Sequence, residues 1–134
     1  MTPIEAKDAM FAVVLALTPV GVITVWPDKP DTIPVGEKWV RPIIRHADSK
    51  QTSLATSNGT RRFTRYGVLA VDCYAPVGDG NVEVDTLAHA FVKGLEMLQS
   101  SPIWYRNIRF IEIGKEGSSS RVTVMADFQY DEFN

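Results

Sequence analysis

The recognition chemistry in this chain is concentrated in one run, Asn58 to Tyr66 (NGTRRFTRY). It sets Arg61, Arg62 and Arg65 beside Phe63 and Tyr66. In an extended chain alternate side chains share a face. Arg61, Phe63 and Arg65 then point one way, and Arg62 and Tyr66 the other. Guanidinium groups interleaved with aromatic rings suit a protein–protein contact or a nucleic-acid strand, and the same run also reads as a solvated strand start. Trp39 and Arg41 repeat the pairing of aromatic and arginine two residues apart. The chain's formal net charge of -2 weighs against nucleic acid, because phosphate binding draws on a basic excess. Trp39, Arg41, Arg61, Arg62, Arg65 and Tyr66 are therefore candidates for a subunit or tube interface.

The residues that carry catalysis do not form a pattern. The two histidines, His46 and His89, have no ligand partner at helical spacing, whereas a metal site needs several ligands brought together. Cys73 is the one cysteine; it excludes an intramolecular disulfide and reads as a small buried hydrophobe. No nucleophile elbow or phosphate-binding lysine loop occurs. Gly78-Asp79-Gly80 before a helix reads as a plain turn, and Asp131 and Glu132 as solvated charge near the C-terminus. The expectation is no catalytic centre, no metal and no cofactor.

The elements that would position these residues follow from periodicity. With 134 residues the chain fits one domain of the common size, roughly 100–150 residues. Thr2, Pro3 and Glu5 form a helix start with a capping box. Met10, Val13, Val14 and Leu17 repeat on one helical face, and Thr18-Pro19 ends the helix. The apolar stretch from Met10 to Leu17 has acidic Glu5 and Asp8 before it, not a basic region. It is also far shorter than the ~20 residues of a membrane span, so a soluble, unexported protein is expected. Gly21 to Trp26 and Trp39 to Arg45 read as strands, with Pro42 placing the second at an edge or a bulge. Residues 46–60 read as a long polar loop. Phe63 to Ala75 is the longest strand, with Leu69, Val71 and Cys73 facing the core and Gly67 marking a bulge or a close approach. A turn from Pro76 to Gly80 leads into a second helix, about Val82 to Leu98, striped by Val84, Leu87, Ala88, Phe91, Val92, Leu95 and Leu98. Ser100-Ser101-Pro102 stops it. Ile108 to Ile113 and Arg121 to Tyr130 form an antiparallel hairpin around a turn from Gly114 to Ser119. The predicted fold class is α+β: a mostly antiparallel sheet with two helices packed on one face, in a single domain.

Taken in order, Trp39-Val40-Arg41, the polar loop, Asn58-Gly59-Thr60-Arg61-Arg62-Phe63, Gly67 with Val71, and Tyr74-Ala75-Pro76 with Gly78 and Gly80 before a helix resemble the tail-terminator-like proteins of long-tailed bacteriophages, also called minor tail or tail completion proteins. The elements that carry the resemblance cover most of the chain. It implies a small α+β subunit that assembles as a hexameric ring at the head-proximal end of the virion's tail. The ring would cap the tail tube protein, end its polymerisation and meet the head–tail connector protein. DNA would pass through the channel without specific binding, with no catalysis, cofactor or membrane involved, and the protein would be made in the host cytoplasm. A ring needs two different patches that meet head to tail. The competing readings are another ring at the head–tail joint, such as a head-closure protein, a small-ligand enzyme or binding protein built around a deep apolar pocket, and a nucleic-acid-binding module.

Overall fold

The computed structural model describes residues 1–27, 36–51, 62–77, 82–98, 102–116 and 119–133. Helix α1 spans Pro3–Leu17 and α2 spans Val82–Glu96; the strands are β1 Ile23–Thr24, β2 Trp39–Gln51, β3 Arg62–Pro76, β4 Trp104–Glu116 and β5 Ser119–Phe133. They form one five-stranded sheet in the order β1-β2-β3-β5-β4. Every pairing is antiparallel except the short β1–β2 pair. Both helices pack on one face, α1 against β2 and α2, and α2 across β3, β5 and β4. The α+β expectation, with two helices on one face of a mostly antiparallel sheet, describes this architecture.

Local chemistry sets the bounds. Thr2 Oγ1 accepts from the Glu5 N–H at 3.2 Å, and Glu5 Oε1 accepts from the Thr2 N–H at 3.4 Å. Two orphan donors at the start of α1 are thereby satisfied. The stripe of α2 buries Val84, Leu87, Ala88, Phe91, Val92 and Leu95. Leu98 lies past the end of the helix and is 37% exposed, because the helix stops at Glu96. The opposing layer is built by alternation: Leu69, Val71, Cys73 and Ala75 from β3, and Val122, Val124, Ala126, Phe128 and Tyr130 from β5. Ala6, Met10 and Val14 of α1 close the core over Val40.

Pro42 explains why β1 is only two residues long. The parallel ladder runs from the Ile23 N–H to the Lys38 carbonyl and from the Val25 N–H to the Val40 carbonyl. The next rung would require the N–H of residue 42, which proline lacks. The strand expected over Gly21 to Trp26 is cut short for that reason, and β2 is the sheet's open edge beyond Val40, as the proline suggested.

Other strand boundaries also differ from the sequence expectation. β2 runs on to Gln51, so the first part of the expected 46–60 loop is strand. Ser49, Lys50 and Gln51 pair with Arg65, Thr64 and Phe63 after a register shift that follows His46. β4 begins at Trp104, with Asn107 at φ 53 inside an irregularity between Arg106 and Arg109. The turn expected from Gly114 is instead continuous strand pairing to Glu116↔Ser119. Gly114, at φ 94, supplies the left-handed residue of a bulge between Glu112 and Gly114. The expected Gly78–Gly80 turn and the Ser100-Ser101 helix stop lie outside the described residues.

Gly67 is a close approach. A Cβ at this position would collide with the Arg45 carbonyl oxygen on β2 and the Phe128 ring on β5. The Phe128 ring covers the glycine, a pairing that restores buried apolar contact where glycine supplies none.

Candidate functional site

The face of the sheet away from the helices carries the even residues of β3 and the odd residues of β5. Register sets Arg41 beside Asp72 and Asp72 beside Thr123, and Trp39 beside Tyr74 and Tyr74 beside Arg121. These six side chains form one polar and aromatic knot. Asp72 is 1% exposed, a position a carboxylate holds only with good partners. Its oxygens accept from Thr123 Oγ1 at 2.8 Å, from Arg121 Nη2 at 3.1 Å and from Arg41 Nη2 at 3.2 Å. Trp39 and Tyr74 stack with ring centroids 3.9 Å apart and an interplanar angle of 1°. Arg41 lies over the Trp39 ring and Arg121 over the Tyr74 ring. A carboxylate occupied by three donors holds two guanidinium groups in place. It is engaged as an acceptor and is not poised to take a proton from a substrate. Next to the knot, Ile43, Val68, Ala70 and Met125 line an open groove.

The five sequence candidates among the described residues do not converge. Trp39 and Arg41 belong to this knot, and Trp39 is buried against Val25 and Tyr74 within the chain. Arg65 and Tyr66 lie six or more residues away along β3, roughly 20 Å at a strand's rise of about 3.3 Å per residue. There Arg65 pairs with Glu132 through Nη2 at 2.6 Å and Nε at 2.9 Å and lies over the Phe63 ring. Glu132, expected as solvated charge, is buried. Tyr66 is half-buried on the opposite face, and Arg62 is exposed at the start of β3. The pairing of Arg62 with Phe133 and of Arg65 with Tyr130 keeps the expected alternation of faces. Arg61 lies outside the described residues.

His46 faces the Tyr130 hydroxyl at 2.5 Å with its ring edge-on to Phe128. Burial, then Lys7 and Arg65, push its pKa below the ordinary 6.5. Burial, followed by Glu132, also raises the Tyr130 pKa, so the pair joins a phenol and an imidazole that both favour their neutral forms. Cys73 is fully buried and its thiol is pushed up to about 12 by burial and by neighbouring Asp72. Asp127 is held below the usual carboxylate range by its hydrogen bond from Asn107 and by Arg109. Among the described residues no group of three or more His, Cys, Asp or Glu side chains could hold a metal ion. Among the described residues no helix is long and apolar enough to cross a membrane.

Sequence reasoning overlooked two surfaces. On β4, Trp104, Phe110, Ile111 and Ile113 are exposed on both faces of an edge strand. The signal was present: Phe110, Ile111 and Ile113 are apolar at both odd and even positions, so one face alone cannot bury them. On α1, every residue from Met10 to Leu17 is apolar, yet only Met10 and Val14 of these are buried. Leu15, Ala12 and Ala16 remain on the surface.

Comparison with known proteins gives three findings. A family model described as phage tail terminator protein matches residues 6–123. A solved protein chain with no stated function superposes with a TM-score of 0.63 at 16% identity, over 94% of this chain and 92% of its own length. At that identity the likeness establishes the fold alone. No curated protein matches the chain in sequence.

Proposed function

We propose the function on one premise: this chain belongs to the phage tail terminator family. Membership makes it a structural component of the phage tail within the virion. Several copies, six in the reading adopted here, close into a ring at the head-proximal end of the tail tube. The ring caps the last layer of tube protein, ends polymerisation and offers its other surface to the head–tail connector protein. DNA passes through the channel without being read. The subunit is made in the host cytoplasm and enters the particle during tail assembly.

The observation that carries this reading is the extent of the family match, from within α1 into β5, which spans both helices and four of the five strands and enters the fifth. The apolar surfaces on α1 and β4 support it, because a chain left to itself exposes few contiguous apolar patches unless they meet a partner. Arg62, with Arg61, Arg65 and Tyr66, is the candidate contact at the loop-to-strand junction. Trp39 and Arg41 act from the other end of the sheet through the Asp72 knot.

Infection with a phage lacking this chain tests the reading. The expected result is tubes extended past normal length and not joined to heads. Tubes of normal length that lack only heads would instead favour a head-closure ring. Changing Arg61 and Arg62 together to Glu is expected to reduce joined particles while leaving the isolated subunit folded. Normal tails from that variant would remove the arginines from the interface.

A further inference from the structure

We propose that the outer face of α1 on one subunit seats against the exposed strand β4 of the next, so that each surface is covered by a second copy of this chain bound head to tail. This inference rests on the ring reading and assigns the two halves of its subunit contact.

The first half is α1. Its inner line, Ala6, Met10 and Val14, is buried against the chain's own core. An α-helix places Ile4, Asp8, Ala12 and Leu15 on the opposite side, with Glu5 and Ala16 beside them. Ile4 is 74% exposed and Leu15 58%, and Glu5, Asp8, Ala12 and Ala16 are exposed as well. A helix that is apolar all round normally has protein on every side. In the C-terminal half of α1, Met10, Val13, Val14 and Leu17 face the chain's own core and Phe11 meets Trp26 edge-on, which leaves Ala12, Leu15 and Ala16 as the uncovered side.

The second half is β4. Trp104 and Phe110 are 56% and 54% exposed, with Ile111 and Ile113 close behind at 45% and 49%. The two surfaces lie on different flanks of the subunit. α1 packs over β2, and β4 is the edge strand on the far side of the sheet. Two different patches on opposite flanks produce head-to-tail contacts that can close by rotation, whereas a single self-complementary patch stops at a dimer.

Charge favours the same pairing. The outer face of α1 carries Glu5 and Asp8 toward its N-terminal end, and β4 exposes Arg106. Arg106 makes no ion pair within 4 Å among the described residues; it sits opposite Asp127 in the strand register and helps to lower that carboxyl's pKa, while the direct contacts of Asp127 are to Arg109 and Asn107. A patch with acids at one end and alanines and leucine at the other therefore meets the face of β4 that carries Trp104, Arg106 and Ile111; exposed Glu112 lies on the other face, beside Phe110. Backbone pairing between the sheets of two subunits is a poorer alternative. The free edge of β4 is interrupted at Asn107 and Gly114, and the free edge of β2 contains Pro42. Side chains of a helix laid on a strand avoid both obstacles, and Ala12 and Ala16 allow close approach.

Cysteine cross-linking in assembled tails tests the contact. The double variant Leu15→Cys/Ile111→Cys and a second pair, Ala12→Cys/Ile111→Cys, place thiols at exposed positions on the two facing surfaces, where folding is retained. Native Cys73 is fully buried and does not compete. A short bis-maleimide is expected to give a ladder of multimers from at least one double variant, only monomer from each single variant, and only dimers when paired single variants are mixed. Electron microscopy of the same particles separates the two ways to fail. Rings that are present without a ladder from either pair overturn this contact, as does dimer formation by a single variant. Absence of any ring overturns the proposed function, and this inference falls with it.

Discussion

Replacing Asp72 with Ala removes the carboxylate that neutralises Arg41 and Arg121. Removing one partner of a fully buried ion pair costs about 3–5 kcal/mol. Here the acid is 2% exposed at its side chain, but the arginines are 33% and 25% exposed. They can regain part of their hydration, which lowers the expected loss to roughly 2–3 kcal/mol. Asp72→Asn keeps the shape and the Thr123 contact while losing the charge, so a loss of about 1–2 kcal/mol is expected. Replacing the ionic cluster together, Arg41→Met/Asp72→Leu/Arg121→Met, is expected to fall within about 1 kcal/mol of the starting protein, because no charge is left to desolvate. Urea unfolding followed by tryptophan fluorescence, at one low protein concentration, measures all three. With a slope of about 1–3 kcal/mol per M, the Ala variant's midpoint should fall by roughly 1–2 M at unchanged slope. An unchanged midpoint for Asp72→Ala, or a triple variant as unstable as the single one, would refute the account of the knot.

Three further outcomes follow from the packing. Gly67→Ala is expected to lose about 1–3 kcal/mol or more, since its Cβ meets the Arg45 backbone carbonyl, which cannot rotate away. Gly94→Ala meets only the Leu17 side chain and gains up to about 1 kcal/mol of helix propensity, so its urea midpoint should stay near that of the parent. Thr2→Ala removes the capping box of α1 and should cost about 1 kcal/mol in the same assay. His46 has a folded-state pKa below 6.5, so the folded protein favours the neutral ring. That stability is present above pH 6.5 and is lost as pH falls through the folded-state value. Stability measured across this acid range should decline less in His46→Gln than in the parent; equal declines would show that His46 is not the group responsible.

The helices and the final hairpin were legible because their patterns are local. The capping box of Thr2 and Glu5, the stripe from Val84 to Leu95 and the alternation from Val122 to Tyr130 each fall within a few turns or one strand. Strand ends were not legible where partners decide them. Residues 49–51 are polar and join β2 only because β3 lies beside them, and β1 stops because of a proline far along the chain. The candidate site was partly legible for the same reason. Arg65 and Tyr66 are neighbours in sequence and remain so in space, whereas nothing in the sequence singles out Asp72. Its partners Arg41 and Arg121 lie 31 and 49 residues away, and no spacing rule connects them. The exposed faces of α1 and β4 had a sequence signal, apolar residues on every side of an element, that a search for one buried face passes over.

Cryo-electron microscopy of the intact virion, resolving the junction between tail tube and head, locates the chain in the particle. One closed ring of this chain, six subunits around the axis, is expected between the last tube layer and the connector. Finding the chain elsewhere in the particle, or absent from it while tails still end at normal length, would overturn the terminator ring.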